Sequence, residues 1–116
     1  MTLKLDTIHF NNILNRSKVY ETRIYDEKRQ KIKLLDELTF KEVGTERTFK
    51  AIVIELSYSE TFREAIEPVG IKKVLPNVRS LKDGISLYEN IKHGEGGLYK
   101  DAAKKYGVLR MKFKLL

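Results

Sequence analysis

The 116 residues contain no cysteine and no tryptophan, and only two prolines and two histidines. Without cysteine there can be no disulfide, no thiolate metal ligand and no cysteine nucleophile. His9 and His93 stand far apart with no metal-ligand spacing, so no metal centre is expected, and each reads as a surface or capping residue rather than a general base. The serines Ser17, Ser57, Ser59, Ser80 and Ser86 sit in no nucleophile-elbow pattern. "HGEGG" is glycine-rich but lacks the Lys-Ser/Thr of a phosphate loop, and no cofactor is expected. No apolar run approaches the roughly 18 residues that span a bilayer, and "MTLKLDTIHF" lacks the apolar core of a signal peptide. The expectation is a cytoplasmic protein with no membrane partner. The absence of cysteine fits a reducing compartment.

What the chain has in plenty is charge. Lysine and arginine number 23 against 16 acids, a formal net charge of +7. A basic balance raises the local concentration of polyanions and speeds encounter with them, nucleic acid first. The length suits one domain, and no repeat, low-complexity tract or linker divides it. Nothing in the residues sets the oligomeric state.

Hydrophobic spacing orders the chain into short elements. Phe10, Ile13 and Leu14 recur at helical spacing behind Asp6 as N-cap, predicting a helix over 6–16. "VYETRIY" is rich in β-branched and aromatic residues and reads as a strand. "DEKRQKI" reads as an exposed turn or a single helical turn, "DELTF" as a half-buried strand, and "TFKAIVIELSY" as a strand covered on both faces. Ser57 with Glu60, and Thr61 with Glu64, offer capping boxes for a helix carrying Phe62, Ala65 and Ile66. Ser80 caps another, with the stripe Leu81, Ile85, Tyr88 and Ile91, stopped by "HGEGG"; Tyr99 to Tyr106 form a last helix ended by Gly107. In "VLRMKFKLL", Leu109, Met111, Phe113 and Leu115 alternate with Arg110, Lys112 and Lys114, which predicts one core face and one cationic row. The fold expected is α+β, a small antiparallel β-barrel of about five strands with flanking short helices.

The stretch "KVYETRIYDEKRQKIK" concentrates the chemistry. Glu21 and Arg23, two apart, share a strand face; Lys18 falls on the other face unless it turns toward the same mouth. Two cations flanking a carboxylate supply polyanion donors, and the acid orients them. The plainer reading is a surface ion-pair ladder worth about 0–1 kcal/mol. Tyr20 and Tyr25 are placed to stack a base, whereas Tyr88 and Tyr106 fall on helical core stripes. Arg110, Lys112 and Lys114, with Lys28, Arg29, Lys31 and Lys33, either extend a phosphate track or serve solubility and edge protection.

These residues resemble a known family. "ILNRSKVYETRIYDEKRQKIKLLDELTF" resembles the N-terminal signature of the ASCH domain, a PUA-like fold. That signature reads Gly-x-Lys-x-x-Glu-x-Arg and is followed by Gly-Asp and a strand. Lys18, Glu21 and Arg23 match it, with Arg16 in place of the first glycine, Leu35 in place of the second, and Asp36 at the aspartate. "VLPNVRSLKDGISLYENI" and "YGVLRMKFKL" resemble later segments, so the likeness runs over nearly the whole chain from about Ile8. The resemblance implies a barrel with a cleft beside the motif strand that holds RNA, another single-stranded nucleic acid or a nucleotide-like ligand. Arg16, Lys18, Tyr20, Glu21, Arg23, Tyr25, Arg110, Lys112 and Lys114 are then the candidate binding residues. The alternative it implies is a small RNA-directed enzyme, a ribonuclease or acetylcytidine amidohydrolase, with Lys18 and Glu21 catalytic. The amidohydrolase branch has a threonine nucleophile where this chain has Glu21, and a glutamate near the position of Asn77. A third reading is a protein-interaction module.

Overall fold

A computed structural model describes residues 1–94 and 96–116. Among these, five strands and five α-helices follow the order β1 (Thr2–Leu5), α1 (Thr7–Leu14), β2 (Tyr20–Ile24), β3 (Glu37–Glu42), β4 (Thr48–Ser59), α2 (Phe62–Ile66), α3 (Ile71–Val74), α4 (Leu81–Glu89), α5 (Tyr99–Tyr106) and β5 (Val108–Leu115). A single 3₁₀ turn, Arg29–Lys31, follows β2. The class is α+β. The strands lie in one sheet of order β1-β3-β4-β5-β2. Three of its pairings are antiparallel, and β1 adds a parallel pairing with β3 that the sequence reading had not included. The sheet curls into a half-barrel, and its two edges approach closely enough for Arg23 on β2 to donate from Nη2 to the Lys4 carbonyl on β1, at 2.7 Å.

The caps follow the sequence. Asp6 accepts from the His9 amide at 2.9 Å, Thr61 from the Glu64 amide and Ser80 from the Asp83 amide, each satisfying an orphan donor of the first turn. Of the two overlapping capping boxes, the one at Thr61 is used. α4 ends at Glu89, before "HGEGG", of which Glu95 lies outside the described residues. The short α3 was not foreseen.

Two apolar cores lie on opposite faces of the sheet. Inside the curl, Phe10 and Ile13 of α1 meet Leu3, Leu38, Phe40, Val53, Leu109 and Met111. On the outer face, Phe62, Ile66, Val74 and Tyr88 meet Tyr20, Ile24 and Val108. Each large side chain so buried contributes about 1.5–3 kcal/mol. Because helices cover the outer face, the first half of β5 is buried on both sides. This corrects the expected cationic row: Arg110 is only 8% exposed, Lys112 is half-buried, and Lys114 alone of the three is exposed.

β4 departs from expectation in the other direction. Its register slips between Val53 and Glu55, and such a bulge turns the extra residue outward. Ile54 is accordingly 42% exposed rather than covered on both faces.

Candidate functional site

The motif strand β2 pairs with β5 from Ile24↔Val108 to Tyr20↔Lys112 and no further. Upstream, the chain peels off the sheet. Lys18 N–H donates to the Asn12 carbonyl at 2.9 Å, and Val19 N–H to the Lys73 carbonyl at 2.7 Å. The departure is made possible by the end of α1, where Arg16 takes a left-handed conformation, φ 68°, the conformation that usually falls to glycine at a helix C-terminus. Phe113, Lys114 and Leu115 are thereby left without a β2 neighbour. The opening is a hollow of about 410 Å³ walled by Ile13, Val19, Ile54, Phe113 and Leu115, with Arg16, Lys18 and Lys114 contributing the charge.

Behind this hollow the three motif residues converge. Cross-strand partners share a face, and Glu21 and Arg23 oppose Met111 and Leu109 on the inner one. Lys18 turns to join them, because it lies beyond the paired strand. Its Nζ is 3.2 Å from Glu21 Oε1 and also donates to the Val74 carbonyl. Arg23 donates from Nε to Glu21 Oε2 at 3.0 Å, and its Nη2 lies 3.0 Å from the same oxygen as an ion pair. The cluster is buried: the Lys18 side chain is 0% exposed and that of Arg23 12%. The plainer expectation of a solvated ion-pair ladder is therefore set aside.

Burial and charge compete in this cluster, and charge wins. Burial pushes the Glu21 carboxyl up, but Lys18 and then Arg23 outweigh it and hold the pKa down at about 2. Burial likewise pulls the Lys18 ammonium down, yet Tyr88 and Glu21 keep it above the ordinary lysine value. All three groups are locked in their charged forms. Lys18 is engaged with Glu21 and Val74, and Arg23 with Glu21 and Lys4. The cations left facing the hollow are Arg16 and Lys114.

The remaining candidates lie elsewhere. Tyr20 faces the outer core, with the Arg110 guanidinium 5.2 Å and the Lys112 ammonium 5.9 Å from its ring centre. Arg110 also donates to the Ala65 carbonyl at 2.7 Å. Arg110 thus ties β5 to α2, and it and Lys112 lie over Tyr20 on the face opposite Glu21 and Arg23, which corrects their expected continuity with the cleft; Tyr20, buried, is likewise corrected as an open stacking ring. Tyr25 sits beyond the other end of β2, packed on Tyr58 with ring centres 4.7 Å apart.

Several neighbours were not read from the sequence. His9 lies beside the cluster, and burial followed by the Lys18 charge lowers its pKa. The hydroxyls of Tyr88 and Thr22 are buried by Lys18 without a well-formed hydrogen bond. Asn77 accepts from Asn12 Nδ2 at 2.7 Å, tying the loop before α4 to α1. Only long-range packing brings His9 and Tyr88 to the motif. His93 is likewise buried and bonded to Asp26, not a surface or capping residue. Among the described residues no group of three potential metal ligands occurs, and no helix is long and apolar enough to cross a membrane.

Comparison with known proteins places the fold but attaches no activity. No family model and no curated protein matches the chain. The solution NMR structure of Protein PF0455 from Pyrococcus furiosus is 31% identical, with a TM-score of 0.73, over 100% of this chain and 98% of that one. The chain belongs to one family with that protein. The crystal structure of hypothetical protein PH0355 is similar as well, 29% identical with a TM-score of 0.80 over the full length of both chains.

Proposed function

We propose that the chain is an ASCH-type, PUA-like domain that binds single-stranded nucleic acid, RNA foremost, in the hollow beside the motif strand. The observation that carries this reading is the hollow's composition: apolar walls that include the half-buried ring of Phe113, rimmed by Arg16 and Lys114. Bases stack on aromatic rings at about 1–3 kcal/mol each, while rim cations take phosphate. A volume of 410 Å³ falls in the range of about 300–1,000 Å³ typical of ligand sites.

The backbone supports the family resemblance independently of side chains. The ASCH signature has glycine where this chain has Arg16 and Leu35. Among the described residues those two are the non-glycine residues at positive φ, 68° and 71°. A left-handed backbone at both signature glycines is what a shared loop geometry requires. In this chain Lys18, Glu21 and Arg23 build the site rather than contact the ligand. Arg23 joins the two sheet edges, Lys18 ties the peeled loop to α3, and Glu21 is the counter-charge they share.

This division of labour favours binding over catalysis. A general acid or base works best with a pKa near the operating pH, and Glu21 at about 2 beside a lysine held charged is far from that condition.

The test is fluorescence anisotropy with a labelled single-stranded oligoribonucleotide over a salt series. Reversing the two rim charges, Arg16→Glu with Lys114→Glu, should weaken binding at least tenfold. It should also flatten the salt slope by about 1.4, since each phosphate contact on a single strand contributes about 0.7. Equal affinity and slope in the double variant would overturn the reading.

A further inference from the structure

A second cluster stands beyond the opposite end of β2, built from two loops 67 residues apart. After β2, Asp26 caps the 3₁₀ turn: its Oδ1 accepts from the Arg29 amide at 3.1 Å and its Oδ2 from Arg29 Nη1 at 2.9 Å. The other loop is closed by the bridge Lys92↔Leu98 and brings His93 Nε2 to 2.9 Å from Asp26 Oδ2. Both Asp26 and His93 are more than nine-tenths buried. Between these loops lies a hollow of about 350 Å³ lined by Asp26, Lys28, Arg29, His93, Gly94 and Tyr99.

Tying the loops together explains Asp26, the Arg29 fork and His93. It does not explain the rest. Asp26 is the one carboxylate among the described lining residues, and its two oxygens already accept three donors. Lys28 makes no hydrogen bond or ion pair among the described residues, and Arg29 Nε is buried without an acceptor. Lys28 and the Arg29 Nε are thus cationic donors without an acceptor beside a concavity. Charge-assisted bonds from lysine and arginine to phosphoryl oxygens are among the stronger hydrogen bonds available. Tyr99, whose ring centre is 6.0 Å from that of His93, supplies an apolar wall.

We propose that this cluster is a second binding site, separate from the hollow beside the motif, for a phosphate group carried on a small organic body. Lys28 and Arg29 hold the phosphoryl oxygens, and the body lies against Tyr99. Such a group can come from a free phosphate ester or from the backbone of a nucleic-acid strand.

Two-dimensional NMR of the full chain separates these sources. Ribose 5-phosphate, inorganic phosphate and an unlabelled oligoribonucleotide are titrated in turn, with the His93 ring and the Arg29 and Tyr99 amides as reporters. Saturable shifts there from ribose 5-phosphate, stronger than from inorganic phosphate, assign a free ester. Shifts from the oligoribonucleotide alone assign a strand. In either case Lys28→Glu should weaken the response at least tenfold, while Lys82→Glu, an equal charge change on exposed α4, leaves it unaltered. Reporters that stay unshifted by all three probes, or that respond alike in both variants, would overturn the proposal. Because these reporters lie apart from Arg16 and Lys114, loss of RNA binding at the motif hollow leaves this outcome readable by itself.

Discussion

Replacing Glu21 by glutamine keeps the side-chain volume and removes one charge from the buried cluster. Glu21 is the counter-charge to both Lys18 and Arg23, at 3.2 and 3.0 Å. The fall of its pKa from 4.5 to about 2 corresponds to about 3 kcal/mol of stabilisation, taking about 1.4 kcal/mol per tenfold change in proton affinity. Removing one partner of a buried ion pair typically costs about 3–5 kcal/mol, because the other charge is stranded, so the two routes agree. A carboxyl with a lowered folded-state pKa binds protons more tightly when unfolded. Its stabilisation is therefore complete above about pH 4.5 and is lost as the pH falls toward 2. Urea unfolding of wild type and Glu21→Gln, followed by circular dichroism, should give a gap of about 3–5 kcal/mol at pH 7. Most of that gap should close by about pH 2.5, where wild-type Glu21 itself takes up a proton on unfolding. Asp26 and Glu42 also have lowered pKa values, but they are common to both proteins and cancel in the difference. A gap below about 1 kcal/mol at pH 7, or one that does not narrow with acid, would refute the assignment of Glu21 as the buried counter-ion.

Arg16→Gly and Leu35→Gly should each stabilise the fold by up to about 1 kcal/mol. The relief of a left-handed side chain, about 1–2 kcal/mol, exceeds the added unfolded-state entropy of glycine, about 0.4–1 kcal/mol. Thermal melts should rise by a few degrees for both, while RNA affinity falls for Arg16→Gly alone; a fall in melting temperature for either contradicts the strain argument. Gly107→Ala should destabilise by about 2–4 kcal/mol, since its Cβ would sit 2.9 Å from the Ser59 carbonyl at φ 81°. Denaturant titration checks this, and a change under 1 kcal/mol contradicts it.

Much of the scaffold was legible because it rests on local rules. The alternation of Leu109 and Met111 on β5, the caps Asp6, Thr61 and Ser80, and the terminating Gly107 all depend on residues a few positions apart. What escaped depends on contacts distant in sequence. β1 is four residues long and pairs with β3 some 37 positions on, a parallel partner that no local pattern announces. Arg110 and Lys112 kept the spacing of an exposed row, yet α2 covers that face and turns them into supports for Tyr20. The grouping of Lys18, Glu21 and Arg23 was legible from their spacing. Their burial was not, because it follows from α3 and Val74 closing over Lys18. Arg16 stands in place of a signature glycine; its left-handed backbone, which opens the hollow, became visible only in three dimensions.

The central claim is that single-stranded nucleic acid occupies the hollow between the peeled loop and the end of β5. Chemical-shift mapping of the whole chain with a short oligoribonucleotide addresses it most directly. Saturable perturbations should cluster at Arg16, Val19, Ile54, Phe113 and Lys114 and spare Tyr20 and Arg110. Perturbations confined to the outer helices, or none at millimolar oligonucleotide, would contradict it.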